Sequence, residues 1–312
     1  MRRYLVYPLQ FDTRVRMLDE ISEHWDPKVK DLHVQNREKL IASLKWELGE
    51  RDFDAKLQNF KALGSSPFSI VAHHNALFHQ ARYAFIYSLY YPALTAACAL
   101  GERILNHLFL DLRKEFPRST FDRKSHTRRS IDDWSKAIET LSEWDVFQPS
   151  EVKGAFEELK ELRNRSLHFN ASTVTSLRED ALKALDCLAT IIEKQFGFQF
   201  ARTIPGSKGA FFLRKDAEAD PFIRCYYLRQ CPYVSPYYRM KAVEGAWLVF
   251  DREIDPNIDV SDEEFVAAFE TRTPDQLAPD DIPWRNGVSV VALTRSGVMN
   301  VECRSDTTTK TK

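Results

Sequence analysis

Glycine is scarce in this chain, ten residues in 312, and no phosphate-binding glycine loop can be assembled from them. There is no Walker pattern and no GxSxG elbow, so neither ATP hydrolysis nor serine-hydrolase chemistry is indicated. Cysteine is also thin: Cys98, Cys187, Cys225, Cys231 and Cys303 are odd in number, scattered, and never in a CxxC pair. That spacing excludes a disulfide scaffold and a zinc ribbon, and it suits reduced thiols. No apolar run reaches the 18 or so residues of a membrane-crossing helix. The start, Met1-Arg2-Arg3-Tyr4-Leu5-Val6-Tyr7-Pro8, lacks the apolar stretch of a signal peptide, so a cytoplasmic protein with no membrane partner is expected. A net charge of -1 argues against a uniformly basic nucleic-acid coat but leaves room for local patches. What the chain does have is 44% hydrophobic residues, enough for a sizeable core.

From about residue 28 to 200 the apolar residues recur at three and four, which is helical spacing. Phe68 to Tyr90 reads as one helix with Phe78, Ala81, Phe85, Ser88 and Leu89 along one side. Tyr91-Pro92 breaks it and starts a second helix carrying Leu94, Ala97, Cys98, Ile104, Leu105, Leu108 and Leu112. So short a connection makes the two antiparallel neighbours. Ser130-Ile131-Asp132-Asp133 and Ser176-Leu177-Arg178-Glu179 resemble capping boxes that open further helices. After Gly197 the texture changes to short β-like runs: Phe198–Phe200, Ala210–Leu213, Ile223–Leu228, Ala246–Phe250, Val288–Leu293 and Val298–Val301. One small helix, Phe265 to Glu270, follows the Ser261 cap. The expected fold class is therefore α+β: an N-terminal helical extension over 1–67, an antiparallel helical bundle over 68–197, a smaller β-rich domain over 198–306 and a disordered tail over 307–312.

The segment with most chemistry in it is Arg163-Asn164-Arg165-Ser166-Leu167-His168. Arginine holds a phosphate in a fixed fork, and histidine moves a proton near neutral pH. Val152, Phe156, Leu159 and Ser166 fall at helical spacing, and Arg163 follows Leu159 by four, so the arginine lies on its own helix's apolar stripe. A guanidinium there needs a partner, because burying it unpaired is costly. Glu102 and Asp111 are the acids in view. Asn164 and His168, four apart, share a neighbouring face. The plainer account is a helix terminus whose histidine is favoured by the helix dipole.

Arg163-Asn164-(three residues)-His168 resembles the Arg-polar-xxx-His signature of the HEPN superfamily. The helix His79–Tyr91 and the helix Ala93–Asn106 resemble the first two helices of a HEPN bundle, with the motif following before the last helix. The resemblance spans about residues 70 to 197. It implies a HEPN-like bundle and, for many members, a metal-independent endoribonuclease that needs no cofactor and works as a homodimer with two motifs in one cleft. The RNA 2′-hydroxyl then attacks its own phosphate and leaves a 2′,3′-cyclic phosphate. Carried over, Arg163 binds the phosphate, His168 transfers a proton or touches the phosphate, Asn164 orients one of them, and Glu102 supports Arg163. A toxin or antiviral-defence role with a protein antitoxin or regulator follows from the family alone. Other members are silent modules that bind a protein partner or a nucleotide, so the fold does not decide activity.

The connector 113–130 is basic: Arg113, Lys114, Arg118, Arg123, Lys124, Arg128 and Arg129 face only Glu115 and Asp122. Arg118, Arg123, Lys124, Arg128 and Arg129 are candidate RNA-backbone contacts, against the ordinary alternative of a solvated loop. His73, His74 and His79 resemble a metal cluster but lack acids or cysteines at ligand spacing, so no metal is expected. The C-terminal region interleaves Tyr226, Tyr227, Tyr233, Tyr237, Tyr238 and Trp247 with Arg224, Arg229, Arg239 and Lys241. These suit strand core and rim, or base stacking if exposed. The stretch Asp251 to Asp281 is strongly acidic and could let this domain restrain a basic cleft.

Overall fold

The computed structural model describes residues 1–7, 11–116, 133–167, 175–197, 203–206, 209–244, 246–252, 254–255, 257–279, 288–294 and 297–300. It is mixed α+β, with nine α-helices among the described residues and two small antiparallel sheets. The chain divides into two compact units: a helical one from Pro8–Ser69 and His74–Gly197, and one containing both sheets from Met1–Tyr7, Ile70–His73 and Phe198–Lys312.

The helical unit opens with a single 3-10 turn (Arg14–Leu18) and helix α1 (Pro27–Leu48). Asp26 caps α1 by accepting from the Lys28 N–H at 2.9 Å, and Pro27 sits at the first position, where its missing N–H costs nothing. Leu40, Leu44 and Leu48 are the buried residues of α1, one per turn. Helix α2 (Phe53–Ala62) supplies Asn59, a buried hub. Its Nδ2 donates to the Phe85 carbonyl at 3.1 Å and to Ser88 Oγ and the Tyr90 hydroxyl at 3.2 Å, while its Oδ1 accepts from Arg178 Nη2 at 3.1 Å.

That hub explains a departure from the sequence reading. Helix α3 runs Ala72–Ile86, not Phe68 to Tyr90. Phe78, Ala81 and Phe85 are buried as the spacing requires, but Asn59 draws the chain out of the helix, and Ser88 takes a left-handed φ of 61°. Leu89 is consequently exposed rather than on the apolar side. Helix α4 (Tyr90–Leu112) then begins, with Pro92 in its first turn.

Helix α5 (Trp134–Glu143) is capped by Asp133, which accepts from the Lys136 N–H at 3.2 Å; the Ser130 expected to open it lies outside the described residues. Helices α6 (Glu151–Leu167) and α7 (Leu177–Phe196) complete the unit, and α4 packs against α5, α6 and α7. The Ser176 capping box does not form. Ser176 Oγ donates instead to Asp180 Oδ2 at 3.1 Å, because its non-extended backbone (φ -100°, ψ 8°) does not aim the hydroxyl at the helix N–H groups.

Gly101 of α4 sets how closely α6 can come. A methyl group there would fall 2.3 Å from Leu159 Cδ2 of α6 and 3.4 Å from Trp134 Cη2 of α5. Leu159 and Trp134 are themselves buried, so neither can retreat into solvent.

The helical expectation for 1–67 does not hold at its start. Arg3–Val6 is strand β1, paired antiparallel with two other strands through Leu5↔Phe212 and Tyr4↔Tyr233. Its alternation puts Leu5 into an apolar cluster and leaves Tyr4 partly exposed on the other side. Strands β2 (Thr203–Pro205), β3 (Phe211–Leu213) and β4 (Tyr233–Val234) complete that sheet in the order β2-β3-β1-β4. The second sheet is a meander of β5 (Arg239–Val243), β6 (Ala246–Arg252), β7 (Val288–Thr294) and β8 (Gly297–Asn300).

The run Ile223–Leu228, read as a strand, is helix α8 (Pro221–Tyr226) up to Tyr226. Asp220 accepts from the Phe222 N–H at 2.8 Å and Pro221 fixes the first φ, while Phe222, Ile223, Tyr226 and Tyr227 fall on one buried helical face. Helix α9 (Asp262–Thr271) has the full Ser261–Glu264 capping box and lays Phe265 and Phe269 edge-on against Phe212, at 4.9 and 5.1 Å. The Phe198–Phe200 run and the tail 307–312 lie outside the described residues.

One electrostatic tie joins the first turn of the helical unit to α1 and α3. Arg14 bridges Asp12 at 2.9 Å and Glu47 at 2.7 Å, and the Tyr83 hydroxyl also donates to Glu47. Partial burial pushes the Asp12 carboxyl up, but the Arg14 hydrogen bonds outweigh it, and both Asp12 and Glu47 are held below the usual carboxylate range.

Two outcomes follow from this framework. Gly101→Ala gains about 1 kcal/mol of helix propensity but overpacks a closed contact at a cost of about 1–3 kcal/mol. The denaturation midpoint therefore falls, and a raised midpoint would show that α4 and α6 can part. For Arg14, both acid pKa values are depressed, so its stabilisation is complete above the ordinary carboxylate range near pH ~4 and is lost as pH falls through the folded values. An Arg14→Gln protein loses less stability than wild type between pH 6 and 3 in chemical denaturation; parallel pH curves would refute the bridge.

Candidate functional site

Helix α6 buries Val152, Phe156, Leu159 and Leu162, and Arg163 continues the same stripe at its solvent end. The guanidinium finds its partner on α4: Arg163 Nε donates to Glu102 Oε2 at 2.9 Å. Its central carbon lies 5.7 Å from the Trp134 ring centroid, a cation–π distance. Glu102 takes only the Nε–H, and Nη1 and Nη2 have no hydrogen-bond partner among the described residues. The Arg163 side chain keeps 26% of its surface in solvent. A cleft of about 390 Å³ opens there, lined by Asp133, Trp134, Ser135, Lys160, Arg163 and Asn164.

The rest of the motif is tied down from the other side. Arg165 Nη2 donates to Asp180 Oδ1 of α7 at 2.6 Å, and the Ser166 hydroxyl donates to the Arg163 carbonyl at 3.0 Å. Two turns before Arg165, Glu158 accepts from Lys183 and from the Cys187 thiol. The last turns of α6 are thus held by acids on α4 and α7, with Arg163 and Arg165 pointing to different neighbours.

Cys98 of α4 lies beside this cluster. Burial pushes its thiol up to about 11, and the nearby Arg163 charge and a Ser166 hydrogen bond only partly counter that. It stays a thiol at neutral pH and is no nucleophile.

Of the residues singled out from sequence, Arg163 and Asn164 line the cleft, and Glu102 pairs with Arg163 from α4. Asp111 does not take the Arg163 fork. His168 and all of Arg118, Arg123, Lys124, Arg128 and Arg129 lie outside the described residues. Sequence reasoning missed Trp134, Ser135 and Lys160 at the cleft and Asp180 behind Arg165. Lys160 could have been found, since it sits three before Arg163 on the same helix; Trp134 could not, because it comes from a separate helix. The histidines separate by environment: His74 is buried, edge-on to Phe196 at 5.2 Å and stacked on His107 at 6.3 Å, whereas His79 is exposed and packs on Tyr83.

No helix among the described residues is long and apolar enough to cross a membrane. No protein-family model matches this chain, no curated protein is significantly similar to it, and no solved structure matches it.

The Arg163–Glu102 pair is partly solvated, so its coupling is modest. A double-mutant cycle with Arg163→Met and Glu102→Gln is expected to give about 0.5–1 kcal/mol of interaction energy in chemical denaturation. A coupling of zero would mean that Glu102 does not hold the guanidinium in solution.

Proposed function

We propose that this protein is an endoribonuclease of the HEPN type, acting without a metal at a site shared by two copies of the chain. One observation carries the reading. Arg163 is fixed through Nε by Glu102, its terminal nitrogens have no hydrogen-bond partner among the described residues, and its side chain lines an open cleft, which suits a guanidinium that receives a phosphate in a two-point fork. Asn164 lines the same cleft, and His168 follows it by four residues in the sequence.

In this mechanism the Arg163 fork holds the scissile phosphate and offsets the charge that gathers on its oxygens. The 2′-hydroxyl oxygen attacks phosphorus, its proton passes to a base, and the P–O5′ bond breaks. The departing 5′-oxygen takes up a proton, leaving a 2′,3′-cyclic phosphate on one fragment and a 5′-hydroxyl on the other. His168 serves one of the two proton transfers, and its partner in the second copy serves the other. Asn164 orients the phosphate or the imidazole, and the basic connector residues Arg118, Arg123, Lys124, Arg128 and Arg129 follow the RNA backbone.

A second reading, a silent helical module that docks on a protein, has its own observation: Trp46 of α1 is 88% exposed, on one face with exposed Val29 and Leu32. The two separate on catalysis. Purified protein cleaves total RNA in EDTA, and Arg163→Ala and His168→Ala each reduce the rate by about 100-fold or more. Intact RNA, or cleavage indifferent to both substitutions, favours the docking module.

A further inference from the structure

The cleft beside Arg163 contains a second cation that the proposed chemistry does not use. Lys160 sits one turn before Arg163 on α6, with 23% of its side chain in solvent, and its Nζ lies 3.3 Å from Ser135 Oγ. Ser135 is the second residue of α5, so the positive end of a ten-residue helix faces the same place. Lys160's other polar contact is Glu161 at 3.4 Å, whose side chain is largely in solvent and restrains it weakly. The Asp133 carboxylate in the cleft is occupied at the α5 N-terminus, with the Lys136 N–H at 3.2 Å and Lys136 Nζ at 3.5 Å. Residues three apart on a helix rise by about 4.5 Å, and their side chains diverge outward. Lys160 and Arg163 therefore present two separate cations, neighbours on one helix surface, to the same cleft.

The groove continues past Lys160 between α5 and α6, and there its character reverses. This stretch, about 580 Å³, is lined by Glu139, Glu143 and Glu157, with Lys153 as its one added cation. Lys153 also lies 3.9 Å from Glu157. Three carboxylates against Lys153 repel a further phosphate.

We propose that Lys160, Ser135 and the N-terminus of α5 form a subsite for the phosphate adjoining the one held by Arg163, and that the strand's contacts with the groove end there. This rests on the RNase reading for the identity of the strand as RNA. The site takes two consecutive phosphates, with the second on Lys160 and no third on Lys153.

The test uses labelled 2′-O-methyl oligonucleotides, which lack the attacking hydroxyl, carrying one, two or three phosphodiesters. Binding is read by fluorescence anisotropy in EDTA against wild type, Lys160→Gln and Lys153→Gln, with cleavage of the unmethylated oligonucleotides measured alongside. Affinity is expected to rise about tenfold from one phosphate to two and less than about twofold from two to three. Lys160→Gln removes the gain from the second phosphate and lowers the salt slope of binding by about 0.7, whereas Lys153→Gln matches wild type. A second-phosphate gain that survives Lys160→Gln, or one that depends on Lys153, overturns the subsite even if wild type cleaves RNA. A gain lost in Lys160→Gln without any cleavage keeps the subsite and removes the catalytic reading. No binding of any oligonucleotide by wild type overturns both.

Discussion

Arg163 puts a permanent charge on a stripe that otherwise reads Val152, Phe156, Leu159, and the end of α6 is arranged around that conflict. Desolvating a lone guanidinium is costly, so the chain provides an acid on the neighbouring helix and an aromatic face on a third. Both depend on how closely α4, α5 and α6 approach, and Gly101 permits that approach by having no side chain where Leu159 and Trp134 converge. Glu102 follows Gly101 directly. The contact that lets the helices close is thus one residue from the carboxylate that orients the arginine.

Because the carboxylate takes the Nε edge, the guanidinium is neither neutralised inside the core nor loose in water. It is oriented, half-screened and, among the described residues, unpaired at its other two nitrogens, which suits recognition of an external anion better than internal stability. The clamp of Arg165 on Asp180 adds rigidity at the same turn from the opposite side. The contacts that orient Arg163 come from α4 and α5, and those that hold Arg165 come from α7, so the turn is fixed before any ligand arrives.

Much of this was legible in the sequence. The spacing of Val152, Phe156 and Leu159 put Arg163 on a buried face, and the need for a partner narrowed the choice to Glu102 or Asp111. The order of helices, then strands, was readable from the switch in periodicity after Gly197. The failures have local causes. Helix α3 ends early because a buried asparagine from α2 takes over the chain, which no pattern within 68–90 encodes. The Ile223–Leu228 run was read by its β-favouring residues, whereas the Asp220-Pro221 cap decided its structure. Strand β1 is only four residues long, and its partners lie some two hundred residues later, beyond any local signal. Trp134 and Ser135 at the cleft required the pairing of α5 with α6, which only the tertiary structure supplies.

The central claim is that Arg163 anchors a phosphate whose own 2′-hydroxyl displaces the 5′-oxygen. The end chemistry of the product tests it most directly. The ³¹P NMR spectrum of a dinucleotide incubated with the protein in EDTA is predicted to gain a 2′,3′-cyclic phosphate resonance at the expense of the phosphodiester. An unchanged phosphodiester, or a 5′-monophosphate formed by attack of water, would contradict the account.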